Sequence, residues 1–393
     1  MPKWFFHNCN TLRLALLSAP LWCCFSSAIA AHSEQDVEPG ITYWNDRFPE
    51  QPLSIHVIRV DRHRPDFRFT TTKARDSVIG LATLTDQLKL VPAELGIPKV
   101  AINGDFYKTE RERYPGDPRG LLIVRGELIS APIDRDCMWF DKNGDPHMTN
   151  VIPDFKVTWP NGQAASLGLN EDPGRTRAVL FTPRLGPSTA TSNRIDLVLE
   201  RAGAENWLPL RIGEEYSARI REIKQGGNAT LTTNIMVLCV STETMAKSDI
   251  NAGSVVKLSF GTNPDLKGAE TAIGGGPALV HKGKVAPIKK VSDPRAASAY
   301  AERAMFEPHP RSAIGWNDKS FYFIEVDGRQ KNLSMGITLA DLSEYLVKIG
   351  CTEAMNLDGG GSSTIWLNGK VMNSPCFGYL RNMATSLVMV RKQ

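Results

Sequence analysis

Cysteine is scarce in this chain, with 7 among 393 residues, and neither C-x-x-C nor H-E-x-x-H occurs. Zinc ribbons, dithiol redox sites and zincin-type centres therefore have no sequence support. A surplus of one charge is missing too: 46 Lys and Arg stand against 42 Asp and Glu, a net charge of +4. That balance gives no electrostatic reason to expect nucleic acid as a partner. No low-complexity tract or internal repeat is present, and 42% hydrophobic with 22% charged residues is ordinary globular composition, which excludes disorder, collagen and coiled coil. The one long apolar stretch, Leu14 to Ala30, is broken by Ser18, Pro20, Ser26 and Ser27 and falls short of the ~20 residues of a membrane span.

That stretch has another reading. Lys3 and Arg13 are the only charges before Ala31, and Ala28-Ile29-Ala30 is a small-x-small cleavage pattern. Residues 1–30 are predicted to be a secretory signal peptide, leaving an exported, periplasmic or extracellular chain with no membrane span after cleavage. Trp22 stands where a lipoprotein signal needs a small residue before Cys23. Four cysteines then remain, Cys137, Cys239, Cys351 and Cys376. An oxidising compartment permits three full pairings of them, and buried free thiols are the alternative.

Residues 31–52 read as a lead-in and 53–393 as the main domain, with a β-rich insertion at about 150–265. Leu53, Ile55 and Val57 alternate in a half-buried strand, a helix is expected around 80–90, and residues 100–103 form a short strand. The middle is dense in short β-like runs separated by Gly, Pro and Asn. Further on, a hairpin turns on Lys282-Gly283, residues 321–326 form a buried strand, and Asn368-Gly369 is a two-residue hairpin turn. Thr338 caps a helix with Leu339, Leu342, Leu346 and Ile349 on one face and Gly350 at its stop. The expected fold class is α+β, mixed α/β, a β-rich sheet core with flanking helices.

Four polar segments at strand ends differ from ordinary turns. They are Asn103-Gly104-Asp105-Phe106-Tyr107; Gly274-Gly275-Gly276-Pro277; His309-Pro310-Arg311 with Asp327-Gly328-Arg329 beyond it; and Asn356 through Asp358, Gly359, Gly360, Gly361, Ser362 and Ser363. A glycine triplet gives up side-chain packing and adds backbone entropy cost of order 1 kcal/mol per residue. It is worthwhile where bare amides approach a ligand, above all an anion. Neither triplet has phosphate-loop or dinucleotide context, and Ser362 lacks the glycine of a nucleophile elbow. The remaining inventory suits a sugar beside a phosphate, with carboxylates for an oxocarbenium-like transition state and arginine for the phosphate. A plain glycan-binding pocket would use the same groups.

The motifs AINGDFY (101–107), AIGGGPALV (272–280), HPRSAIG (309–315), VDGRQ (326–330), SMGITLADL (334–342) and NLDGGGSSTIW (356–366) resemble the phosphodiester glycosidase family. The resemblance implies hydrolysis of a sugar-phosphodiester, with loops gathered at one end of a sheet. In the expected assignment Arg311 holds the phosphate with amides of one triplet, and Asp358 or Asp327 stands on the anomeric side as nucleophile or base. Asp105 and Asn103 join the catalytic set, Asn103 and Asn356 serving sugar hydroxyls or carboxylate orientation. Arg329 binds phosphate or pairs with Asp327, Ser362 and Ser363 bond phosphate or cap the turn, and His309 is a further contact. No cofactor is required; a divalent cation on Asp327 and Asp358 stays open and unassigned. The expected partner is a sugar-phosphodiester or glycan, and the other function class is a non-catalytic glycan-binding or exopolysaccharide assembly protein.

Overall fold

The computed structural model describes residues 33–48, 50–174, 177–203, 207–288 and 302–392. The expected leader, residues 1–30, lies outside them. The α+β expectation is corrected: the described residues are 45% strand and only 9% helical, and they form three sheets. Helical signals exist but are short. Thr83 caps Leu84–Lys89 and Ser241 caps Thr242–Lys247, one or two turns each. Among the described residues, only Leu339–Lys348, capped by Thr338, buries an apolar stripe of any length. The connections between strands are mostly hairpins and loops, so the sheets are antiparallel almost throughout.

An eight-stranded sheet runs Gln35–Glu38, Ile41–Phe48, Leu53–Asp61, Ser320–Val326, Arg311–Trp316, Glu353–Asn356, Ala278–His281, Lys284–Val285. Residues 35–48, read from sequence as a lead-in, are thus strands of this sheet, Ile41–Phe48 pairing along Leu53–Asp61. Alternation along Leu53–Asp61 gives the sheet two apolar faces. Ile55 and Val57 pack with Leu339, Leu342 and Leu346 of the long helix. Ile58 and Val60 pack against a five-stranded sheet through Val100, Ile102, Leu387 and Met389. That second sheet is ordered Lys370–Val371, Ile365–Leu367, Ile97–Asn103, Thr385–Arg391, Phe67–Lys73.

The third sheet has eleven strands. Seven of them close on themselves, because Ala164–Leu169 pairs both with Ala178–Phe181 and with Pro146–Thr158. The interior of this barrel is filled by Phe155, Leu197, Leu238, Leu258 and Phe260. Its strands lie in the stretch read as a β-rich insertion, and the same sheet continues through Arg135–Phe140 and Thr271–Gly274. No helix among the described residues is long and apolar enough to cross a membrane. Cys137, Cys239, Cys351 and Cys376 are all free thiols, the first three buried.

Candidate active site

The strand ends of the eight-stranded sheet open on a cavity of 310 Å³, within the usual range of small-ligand sites, about 300–1,000 Å³. Arg311 begins one lining strand, and Glu353–Asn356 runs into a loop carrying Asp358 and the 3-10 turn Gly360–Ser362. Of the sequence-expected residues, Asp358, Arg311, Arg329, His309, Asn356 and Gly359 to Gly361 line this cavity together. Their loops dock tightly. A Cβ on Gly359 would sit 2.7 Å from the Pro310 carbonyl oxygen, and the Gly360 amide donates to that same oxygen at 2.9 Å. Gly360 has φ +63 and the Arg329 guanidinium lies over it, 3.1 Å from where a Cβ would stand.

Asp358 is the one carboxylate lining the cavity among the described residues. Burial pushes its carboxyl up from 3.8 to about 6, against the lowering effect of the Ser362 hydroxyl, the Arg381 charge and the Gly359 amide. A group of that acidity changes protonation near neutrality, as a general base must. Three arginines face it across the cavity: Arg311, Arg329 and Arg381. None of the three forms an ion pair with a described carboxylate. Arg311 is buried, its Nε donating to the Ile337 carbonyl at 3.1 Å and Nη2 to the Glu307 carbonyl at 2.9 Å, and burial lowers its pKa to about 10 with help from Arg329. With those nitrogens engaged, Nη1 is left for an anion. Arg381 rests on the Tyr107 ring, 5.4 Å from its centroid. Arg329 is exposed, lines the cavity and forms no ion pair with Asp327.

The other expected residues stand one layer back. Asn103 donates to the Asp358 carbonyl at 2.6 Å and accepts from the Ser312 hydroxyl at 2.6 Å and the Thr364 amide at 3.1 Å. It positions the loop. Asn356 donates to the Gly276 carbonyl at 3.1 Å, while its Oδ1 has no partner. The triplet Gly274 to Gly276 does not line the cavity. Its Gly274 and Gly276 amides are engaged by the Leu121 and Asn356 carbonyls at 2.6 and 2.7 Å. A Cβ on Gly275 would meet the Asn356 carbonyl oxygen at 2.7 Å, so these glycines serve close backbone packing. Asp105 is buried and ion-paired with buried Arg135, with desolvation raising its pKa against that pairing. Asp327 is also buried away from the cavity: its Oδ2 contacts His56 Nε2 at 3.0 Å and its Oδ1 accepts from the Ser374 amide at 2.7 Å. Ser362 and Ser363 are buried under the loop, and Ser362 bonds Asp358 from below.

Phe106 of the first polar segment lines the cavity, and so do Phe377 and Arg381, which the sequence did not single out. The Phe377 ring stacks with that of Tyr379 at 5.9 Å, and both are more than half exposed. A Cβ on Gly361 would lie 2.3 Å from the Phe377 ring, so the third glycine of the loop leaves room for an aromatic wall. The readable signal was Phe-Gly-Tyr in a polar loop, two large apolar side chains that no core period accounts for. Arg381 carries no such mark.

Residues 220–390 match the family model described as phosphodiester glycosidase. A segment of 66 residues, 16% of this chain, is 39% identical to N-acetylglucosamine-1-phosphodiester alpha-N-acetylglucosaminidase of Bos taurus and covers 12% of that protein. Another of 103 residues, 26% of the chain, is 37% identical to the SPbeta prophage-derived protein YomE of Bacillus subtilis (strain 168), covering 16% of it. The matched stretches thus span less than a fifth of these relatives. A crystal structure of a hypothetical protein from Synechocystis shares the fold, with TM-score 0.73 at 16% identity over 92% of this chain and 64% of that one. Five of the six motifs that carry the resemblance lie within the matched stretch, and it is over residues 220–390 that this chain matches the phosphodiester glycosidase family.

Proposed function

We propose that this chain is an exported hydrolase that cleaves the glycosidic C–O bond of a sugar-1-phosphodiester or phosphate-containing glycan. The observation that carries the reading is one carboxylate of near-neutral acidity, Asp358, facing three arginines that have no carboxylate partner among the described residues, in one cavity. Such a site favours an anion beside a group that takes a proton. The leaving group of the reaction is a phosphate monoester, a weak base, so the second carboxylate that glycosidases use as general acid is not needed.

In this reading Arg311 Nη1, Arg329 and Arg381 hold the phosphate and stabilise the charge that grows on it as the bond breaks. Asp358 takes a proton from water as it adds to the anomeric carbon. Asn356 Oδ1 accepts from a sugar hydroxyl, and Asn103 fixes the main chain of Asp358. Phe377 offers its ring to the apolar face of the sugar. No cofactor enters the cavity in this scheme.

The test is release of free sugar from a panel of sugar-1-phosphodiesters by the purified chain, alongside Asp358→Asn. Turnover lost in a folded Asp358→Asn protein supports the hydrolase. Tight binding of the panel with no release by the natural chain supports a non-catalytic glycan-binding protein instead.

A further inference from the structure

A second group of ionisable side chains lies behind the cavity, and its members follow from strand register. His56 and Glu325 are directly opposite on the antiparallel strands Leu53–Asp61 and Ser320–Val326. Asp327 is two residues beyond Glu325, so the period of two turns all three toward one face. It is the face that packs on the five-stranded sheet beside Ile58 and Phe323. All three side chains are buried, and one ligand atom from each lies within 4.8 Å of the others.

The bonding around the group is uneven. His56 Nε2 sits 3.0 Å from Asp327 Oδ2, and its Nδ1 is 2.9 Å from the Tyr43 hydroxyl. Asp327 Oδ1 accepts from the Ser374 amide. Glu325 is fully buried, and neither of its oxygens makes a well-formed hydrogen bond, the Asn373 side chain being its one polar neighbour with a lowering effect. Burying a carboxyl without a donor or acceptor is costly whether it is ionised or not. Two carboxylates and an imidazole converge on one point, and the Glu325 carboxylate has no well-formed bond there.

We propose that His56, Glu325 and Asp327 bind a divalent first-row transition metal of the Zn²⁺ or Mn²⁺ class. One imidazole nitrogen with two carboxylate oxygens matches these ions, whereas Ca²⁺ and Mg²⁺ favour oxygen alone. The ion takes the place of the proton between His56 Nε2 and Asp327 Oδ2 and accepts Glu325 as third ligand. Metal–ligand bonds of about 2.0–2.2 Å put tetrahedral ligand atoms about 3.4 Å apart, a small contraction of the group. Tyr43 on Nδ1 fixes the imidazole ring from behind, as outer partners orient a ligating histidine. The role is structural. Asp327 anchors Ser374 ahead of Phe377 and Arg381, and Arg329 is two residues beyond Asp327, so the ion would tie together two segments that wall the cavity.

Metal content measured by plasma mass spectrometry on the full chain, grown with added zinc and manganese, reads this without reference to turnover. Stripped protein is then titrated calorimetrically with ZnCl₂ and with MnCl₂, and its melting followed. The expected result is about one equivalent of one of these metals per chain, a higher melting temperature on adding it back, and at least tenfold weaker binding by Glu325→Gln. Should Glu325→Gln fail to fold, Tyr43→Phe is expected to bind more weakly through loss of the outer contact. The proposal is overturned if no metal is retained and neither ion binds or shifts the melting of the stripped chain, or if Glu325→Gln binds as the natural chain does.

Discussion

If Asp358 is the base, the pH dependence of the reaction is set by its displaced acidity. Burial raises the carboxyl from 3.8 to about 6, a shift of about 2 units or roughly 3 kcal/mol in favour of the neutral form. Such a group is about 10% ionised at pH 5 and about 90% at pH 7, so kcat/KM should rise close to tenfold across that window and level off above it. A phosphodiester substrate keeps its single charge throughout. The assay is initial-rate release of free sugar between pH 4 and 8, first with the natural chain and then with Arg381→Gln. Arg381 lowers the Asp358 pKa, so its neutralisation should move the rising limb to higher pH. Stability changes in the opposite direction to activity. A carboxyl with a raised folded-state pKa binds its proton more tightly folded than unfolded, so folding weakens as pH climbs from about 4 to about 6. Asp358→Asn should therefore be inactive and melt higher than the natural chain at pH 7, by an amount of order 1–3 kcal/mol, yet show little gain at pH 3. A rate that is flat or falls from pH 5 to 7, or an Asp358→Asn protein that melts lower at pH 7, would refute the assignment.

Arg135→Ala leaves the fully buried carboxylate of Asp105 without its partner, and the expected loss is about 3–5 kcal/mol in chemical denaturation; an unchanged midpoint would show that the pair is not holding the AINGD loop. Gly361→Ala drives a methyl into the Phe377 ring and Phe377→Ala removes the ring. Both are expected to raise KM several-fold for a glycan substrate with a smaller change in kcat. Because Cys137, Cys239, Cys351 and Cys376 are free, a reductant should leave the melting temperature where it was, and a drop of several degrees would reveal a disulfide.

Strands were legible where alternation was clear, as in Leu53–Asp61, and so were turns with a chemical reason. Lys282 and Gly283 both have positive φ in the hairpin expected there, and Trp366 pairs with Val371 across Asn368-Gly369. Thr338 caps its helix by accepting from the Asp341 amide. Fold class was misjudged because strand pairing is long-range. Nothing local marks Ala164–Leu169 as the strand that closes a barrel by pairing on both sides. Buried polar residues were missed for the same reason. His56 sits in an apolar alternation where a histidine is usually a core residue with a satisfied bond, and only register reveals Glu325 opposite it.

The two glycine triplets show most plainly where letters stop and geometry begins. Both sit at strand ends, and both suggest bare backbone offered to a ligand. In Gly274 to Gly276 the neighbouring groups are protein: the Asn356 carbonyl and the Asp105 carboxylate occupy the space a side chain would take. In Gly359 to Gly361 one side is filled by Pro310 and Phe377 and the other opens on the cavity. Glycine is required in either case because a Cβ does not fit, and the identity of the excluding neighbour decides the consequence. For the first triplet that neighbour is the buried support of the site, so an alanine at Gly275 acts by displacing the Asn356 main chain. For the second, an alanine at Gly360 meets the Arg329 guanidinium at 3.1 Å in a left-handed backbone, disturbing a cavity wall directly. Gly275→Ala should therefore lower stability and activity together, while a flexible arginine can yield at Gly360. The expected mark of Gly360→Ala is a loss of anion affinity larger than its loss of stability, read by phosphate inhibition against the melting curve. Equal losses at the two positions would mean that both triplets are scaffold.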